Sequence, residues 1–380
     1  MRVAILESIV MPAGHEVEFD RILVDELKRQ GHEPVMLVPE KFPFKIKYDA
    51  EVDYLSGGEV VSYAGANRLQ KLFLSVKREY RRGKWFDSAF EMIEKKGYDA
   101  IIIPTATYRY LRKIRSSKLK DSTVPVYVLF HGINPHEKNN FVRQARACEK
   151  YNNIRLKVIT LRNDFEGDGL TNVDLIAPPV YKPMDLSVDA EMTVHDPLIL
   201  GFFGQYRKEK NLRYFLDAFR MAKFIVPVKL IVQGATAMVE DSEEFEKIID
   251  EYKNIPNIEF WHRNLIGLEW QKALLAVDVI VAPYAAERYR YHWSAMSFTA
   301  LGFYKPILQS PEMNPEVIEN FKVGEFLDLT SQQAMSGQLS TFVNTFKERV
   351  REYRSGLDDA NDRYSHANLI KSVLEGRKTV

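Results

Sequence analysis

The chain has 380 residues, 46% of them hydrophobic and 28% charged, a globular composition with material for two cores rather than one. Its net charge of +1 supplies no overall field for nucleic acid, so any cationic function is local. A single cysteine, Cys148, excludes an intramolecular disulfide and a cysteine-rich metal site and fits a reducing compartment. No apolar run reaches the roughly 18 residues of a membrane span, and the first one is too short for a secretory leader, so a cytoplasmic protein is expected.

Residues 3–9 form an apolar strand candidate, closed by a Pro/Gly turn at 12–14. A helical pattern over 16–30 places Phe19, Ile22, Leu23 and Leu27 on one face, and Gly31 stops it. Residues 34–38 read as the next strand. Strands apolar throughout predict a parallel sheet covered on both faces. The pattern continues at 100–104 (AIIIP), 126–130 (VYVLF) and 157–160 (KVIT). The stretch APPVYKPMD at 177–185 reads as a linker. Strands are then expected at 198–203, 228–233, 258–261, 277–282 and 306–309. Helices are expected between them at 212–222, 242–254, 267–275 and 294–302, with a long last helix at 359–375.

The expected fold class is α/β, with two Rossmann-like, doubly wound parallel-sheet domains at 1–185 and 186–380 facing each other across a cleft. The last helix is expected to pack back on the first domain. In such folds ligands bind outside the carboxyl ends of the strands, so the strand-to-helix turns carry the chemistry.

In the first domain the turn MPAGHE offers Gly14 and a following helix start that can receive a phosphate, or is a plain glycine turn. The absence of G-x-G-x-x-G argues against a dinucleotide. His131, at the end of YVLF and before Gly132, is placed to meet a substrate hydroxyl or developing charge, or is a solvated loop histidine. In the second domain LGFFGQYRKEKN runs from a strand through Gly204 into a helix, with Arg207, Lys208 and Lys210 at the turn. Either an anion binds there or the lysines decorate a solvated helix start. Gly234 ends KLIVQG as a close-approach point, and Trp261, His262 and Arg263 follow a strand where they contact a heterocycle or pack on the surface. After the strand ending at Tyr284 come Glu287 and Tyr291, then Ser294 as an N-cap before Ala295. That helix start is an anion site which, with Arg207 and Lys210, would clamp a diphosphate.

These residues resemble the two-Rossmann-domain (GT-B) glycosyltransferases, in particular the retaining, nucleotide-sugar-dependent family 4. FFGQYRKEKNL resembles the family's strand–G-R-x-x-x-x-K-[GN]–helix segment, with Gln205 where its arginine stands and Arg207 two residues on. KLIVQG, NIEFWHRNL with LLAVDVIVAPY, and TALGFYKPIL resemble its later strands and its E-A-M-A-x-G-x-P-V-I segment. PAGHE and GHEPV match its glycine loop and first helix end, and His131-Gly132 sits where many members place a histidine near the donor sugar. The family's two glutamates fall on Tyr291 and Thr299, while Ser294-Ala295 resembles the turn of members that lack them.

The resemblance implies transfer of a sugar from a nucleotide diphosphate sugar to a glycan or lipid-linked acceptor hydroxyl, with retention, in glycan or envelope polysaccharide synthesis. Catalytic roles are expected for His131, Arg207 and Lys210. Donor contacts are expected for Gly14, Gly204, Gly234, His262, Glu287, Tyr291, Ser294, Ala295 and Thr299. No cofactor and no metal are expected, because no Asp-x-Asp or histidine cluster is visible. Two basic amphipathic stretches, Arg68 to Trp85 and Tyr108 to Lys120, suit an anionic membrane at its inner face, or else a solvated helix face or a phosphate-bearing acceptor site. The rival readings are a nucleotide-sugar epimerase, a non-catalytic binding or partner protein of the same fold, and, last, a dinucleotide oxidoreductase.

Overall fold

The computed structural model describes residues 1–9, 16–63, 67–162, 168–189, 191–236, 238–285, 289 and 292–375. It divides into two compact units, Met1–Pro178 with His366–Val380, and Pro179–Ser365.

In the first unit the strands are β1 (Arg2–Leu6), β2 (Glu33–Pro39), β3 (Glu51–Leu55), β4 (Ala100–Ile103), β5 (Val126–Phe130), β6 (Ile154–Ile159) and β7 (Val173–Ile176). They pair in parallel in the order β3-β2-β1-β4-β5-β6-β7. The helices are α1 (Glu16–Arg29), α2 (Arg68–Lys96), α3 (Tyr108–Ser116) and α4 (Pro135–Cys148). Central strands such as VAIL and AIII are buried on both faces, which is why they lack polar alternation. The edge strands β3 and β7 were not expected from the sequence. Each is short, and each carries an acid that pairs with a lysine: Asp53 with Lys96 at 2.9 Å, and Asp174 with Lys157 at 2.8 Å. Cys148 is fully buried, and burial pushes its thiol up to about 11, so it is packing material and no nucleophile.

The second unit has β8 (Leu198–Phe202), β9 (Val228–Gly234), β10 (Ile258–His262), β11 (Val279–Ala282), β12 (Ile307–Gln309) and β13 (Gly324–Phe326). Their order is β10-β9-β8-β11-β12-β13, again all parallel. The helices are α5 (Leu212–Met221), α6 (Val239–Tyr252), α7 (Gly267–Leu275), α8 (Ala295–Gly302), α9 (Pro315–Phe321) and α10 (Gln332–Arg363). Both sheets reverse strand order beside their first strand, at β1/β4 and at β8/β11. Those two places are the topological switch points where such sheets open a crevice.

Two expectations change. The single last helix is interrupted: α10 ends at Arg363, and α11 (His366–Leu374) begins anew. Tyr364 causes the break. Its buried ring lies 5.1 Å from Phe298 and 5.5 Å from Phe321, and its carbonyl accepts the Val180 N–H at 2.9 Å. The α11 segment belongs to the first unit. There Tyr127 Oη donates to the Leu374 carbonyl and Lys157 Nζ to the Glu375 carbonyl, both at 2.8 Å, a hydroxyl and a cation at a helix C-terminus. The presumed linker, in turn, is buried over residues 178–181 and exposed at Lys182 and Asp185. Val180 and Tyr181 are buried, and Tyr181 stacks on Trp293 at 5.8 Å.

Gly302, the glycine of TALGFYKP, closes α8 against that segment. A Cβ there would stand 2.1 Å from the Tyr181 carbonyl oxygen. Backbone cannot move aside cheaply, so Gly302→Ala is expected to lose about 1–3 kcal/mol of stability. Urea unfolding measures it, and an unchanged midpoint would refute the close packing.

Candidate functional site

The densest set of functional groups lies at the β8/β11 switch point of the second unit. β8 ends at Phe202, and the chain turns at Gly204 with φ of 106°, a region that favours glycine. The missing side chain also leaves room for a cation, because a Cβ on Gly204 would stand 3.1 Å from Lys210 Nζ. Lys210 is only 8% exposed. Its ammonium lies 4.7 Å from the centroid of the Tyr284 ring and 5.8 Å from that of Phe202, and it donates to the Phe203 carbonyl at 3.5 Å. Aromatic faces and a carbonyl stand in for part of its water shell.

Lys210 reaches this place because residues 208–210 form a 3-10 turn and Asn211 adopts the left-handed conformation, φ 56° and ψ 31°. Asparagine and glycine tolerate that conformation best, which accounts for the Lys-[Gly/Asn] spacing noted in the sequence. The Ala285 N–H donates to the Glu209 carbonyl at 3.0 Å and ties the turn to the loop after β11.

Arg207 is held differently. Its side chain is 41% exposed, its Nη2 donates to Gln205 Oε1 at 3.3 Å, and its Nη1 stands 3.8 Å from Glu209 Oε1. Gln205 thus supports Arg207. Such a half-exposed pair holds its arginine weakly, so an arriving anion displaces little. Lys208 is exposed.

After the neighbouring strand β11 and its loop, Ser294 caps α8, and its hydroxyl accepts the Ser297 N–H at 3.4 Å. The first-turn N–H groups of Ala295 and Met296 have no intrahelical acceptor, so they remain suited to an anion. Beneath the helix start lies a buried polar layer. Asn314 Oδ1 accepts the Ser294 N–H at 2.7 Å, and Ser297 Oγ donates to Gln309 Oε1 at 2.9 Å. Ala295 is half-buried, and Thr299 is buried one turn further on.

Gly234 and His262 both pack against α6. A Cβ on Gly234 would collide with the Phe245 ring at 2.5 Å, so this glycine makes room for α6. His262 packs edge-on against Phe245 at 5.0 Å. It bonds Thr236 Oγ1 at 3.0 Å through Nε2 and Glu246 through Nδ1. Trp261 Nε1 donates to Glu259 Oε1 at 2.6 Å. In the first unit His131 follows β5, with Nε2 donating to the Pro104 carbonyl at 2.9 Å and its ring 4.6 Å from Phe19. Gly14, Glu287 and Tyr291 lie outside the described residues.

The sequence reading missed Gln233. It is 1% exposed, accepts the Gly204 N–H through Oε1 at 2.8 Å, and donates to the Arg263 carbonyl through Nε2 at 2.6 Å. Gln309 plays a comparable part under α8. Each is a polar residue at the carboxyl end of a strand, directly after an apolar run, and that is the signal that marks them.

No protein-family model matches the chain, and no curated protein matches it. Solved structures do. HepE of Anabaena, in complex with UDP and glucose, is 14% identical over 98% of this chain and 99% of its own, with a TM-score of 0.64. The catalytic domain of starch synthase IV from Arabidopsis thaliana, bound to ADP and acarbose, is 11% identical over 98% and 99%, with a TM-score of 0.65. WaaG, a glycosyltransferase involved in lipopolysaccharide biosynthesis, is 13% identical over 98% and 100%, with a TM-score of 0.61. The chain has the GT-B fold. The likeness spans both units and establishes architecture rather than substrate.

Asn211 offers a local test of the site. Asn211→Gly is expected to leave stability unchanged, whereas Asn211→Val places a β-branched residue at positive φ and is expected to cost about 1–2 kcal/mol. Thermal melts of the two variants check this, and equal melting points would contradict the left-handed turn.

Proposed function

We propose that the chain is a glycosyltransferase that moves a sugar from a nucleotide diphosphate sugar to an acceptor hydroxyl. The observation that carries this reading is Lys210, a lysine buried at the β8/β11 switch point, with Arg207 three residues before it and the α8 start following the loop after β11. HepE and starch synthase IV, which share the fold, are bound to the nucleoside diphosphates UDP and ADP. That ligand class is the one this cation pair suits.

In this mechanism the sugar–phosphate bond breaks and negative charge grows on the departing diphosphate. Arg207 meets it with a bidentate guanidinium, Lys210 with a point charge, and the N–H groups of Ala295 and Met296 with the positive end of α8. Stabilising that growing charge is the main way such a site lowers the barrier. Charge on the diphosphate is met by protein cations, so we read the reaction as metal-independent and without cofactor. We also read it as retaining, with the leaving phosphate oxygen taking the acceptor proton. His131 orients the sugar and Gly204 lets the backbone approach the phosphates. Ser294, Ala295 and Thr299 line the donor side. Family 4 is the branch whose motifs the residues follow. The acceptor is a glycan or a lipid-linked precursor, made at the inner face of the membrane. Among the described residues no helix is long and apolar enough to cross it.

One observation favours a second reading. Thr299 is uncharged and buried where the family has a glutamate, which suits a non-catalytic protein that binds nucleotide sugars. Product formation from donor and acceptor separates the two readings.

UDP or ADP at about a hundred times its Kd is expected to stabilise the fold by about 2.7 kcal/mol, seen as a raised melting point. In the double variant Arg207→Ala/Lys210→Ala that shift should vanish, and turnover should fall about 100-fold or more. Turnover unchanged in the double variant would sink the proposal.

A further inference from the structure

The core-facing side of α2 changes chemistry along its length. Its second half carries Trp85, Phe86, Ala89 and Ile93 into the core. Its first half presents Lys71, Ser75, Arg78 and Arg82 on the same side, at i, i+4, i+7 and i+11. Polar residues therefore face inward there, while Leu69, Phe73 and Val76 are 69% to 77% exposed.

The segment between β3 and α2 runs beside this polar strip. Trp85 Nε1 donates to the Gly58 carbonyl at 2.9 Å and Arg81 to the Glu59 carbonyl, which pins the segment to the helix. Further along it, the Tyr63 ring lies under the Arg78 guanidinium at 5.1 Å. A cavity of about 560 Å3 opens there, lined by Tyr63, Lys71, Leu72, Ser75 and Arg78. One turn on, Arg82 is only 5% exposed, and its guanidinium lies 4.0 Å from the centroid of the Tyr110 ring. Tyr110 Oη and Ser8 Oγ share a hydrogen bond at 3.2 Å, and Ser8 follows β1. The strip thus leads from the cavity to the carboxyl end of β1, at the β1/β4 switch point.

Glu79 joins the two arginines. Arg82 Nη1 donates to Glu79 Oε1, and Arg78 Nε stands 3.8 Å from the same oxygen, beyond hydrogen-bond range. Among the described residues, Tyr63 Oη, Arg78 Nε, Arg82 Nε and Glu79 Oε2 are buried without a hydrogen-bond partner. Buried polar atoms are nearly always paired, so this group of orphans marks a place that takes its partner from outside.

We propose that the cavity binds a sugar bearing an oxyanion, either a carboxylate or a phosphate. Lys71 and Arg78 take the anion, and the strip's three cations outnumber the one carboxylate of Glu79. The volume is that of a small-molecule site, more than a bare ion fills. Leu72 and the Tyr63 ring give a sugar ring apolar walls, and Tyr63 Oη and Ser75 Oγ meet its hydroxyls. Under the proposed function this sugar belongs to the acceptor, and that assignment alone rests on that reading.

Titration calorimetry and thermal melts of the full chain test it, with glucuronate, glucose 6-phosphate, glucose and inorganic phosphate as probes. Glucuronate, glucose 6-phosphate or both are expected to bind about 10-fold or more tightly than glucose, and which one does so tells carboxylate from phosphate. Lys71→Ala/Arg78→Ala should weaken that binding about 30-fold and Tyr63→Phe about 5-fold. Ser75→Asp puts a like charge into the cavity without removing a cation and should weaken it about 10-fold or more. No binding of either anionic sugar, glucose binding as tightly as they do, or protection by inorganic phosphate alone overturns the proposal. So does undiminished binding in Lys71→Ala/Arg78→Ala or Ser75→Asp with native circular dichroism. UDP protection on the same samples keeps the two sites apart. Arg207→Ala/Lys210→Ala should lose it and keep the anionic sugar, and Lys71→Ala/Arg78→Ala should do the reverse. UDP protection without anionic-sugar binding removes this site alone, and the converse removes the donor reading alone.

Discussion

A lysine ammonium buried where a parallel sheet reverses its order is the constraint around which the second unit is arranged. Taking that cation out of water is costly, and Lys210 is met by the Phe203 carbonyl and by the rings of Tyr284 and Phe202. Those contacts require Gly204 without a side chain and Asn211 in a left-handed turn. They also require Gln233 to hold the Gly204 amide and the Glu209 carbonyl to be tied to Ala285. Each of these is a local cost or constraint that a solvated helix start would not need. The same burial gives the site its strength. An anion that reaches Lys210 interacts with it through a poorer dielectric than at the surface, so one buried cation outweighs an exposed one such as Lys208.

Much of the architecture was legible in the sequence because central parallel strands are buried on both faces and read as uninterrupted apolar runs. The edge strands β3 and β7 were not, because a residue such as Asp53 looks like a loop until Lys96 and Tyr98 are seen to pair with it. At the candidate site, Arg207, Lys210 and Ser294 could be picked out because their positions, after a strand or before a helix, are visible along the chain. Gly234 and His262 could not be interpreted that way. What fills the space beside them is Phe245 and Glu246, contributed by α6, and sequence position says nothing about which helix lies over which strand end.

The two basic stretches of the first unit show the same limit. Composition and periodicity describe α2 and α3 alike, as amphipathic and cationic. Their burial is opposite: α3 turns its apolar side into the core, whereas the first half of α2 turns it outward. The long α2 is one helix with two apolar faces at different heights. Only its second half is held by the core, and the stripe on the first half is left to find another partner.

The α8 start bears on how the site would recognise a donor. Thr299 does not stand alone as an uncharged replacement. Ser294, Ser297, Gln309 and Asn314 form a neutral hydrogen-bonded layer beneath the same turns. A carboxylate placed within this layer would be buried among neutral partners alone, which costs more than an uncharged hydrogen bond. The layer therefore offers hydrogen bonds and no side-chain charge at the α8 start. Under the donor reading, recognition then falls on the diphosphate, through Arg207, Lys210 and the helix start. The ribose is left to hydroxyl and backbone contacts, which discriminate by geometry more than by charge.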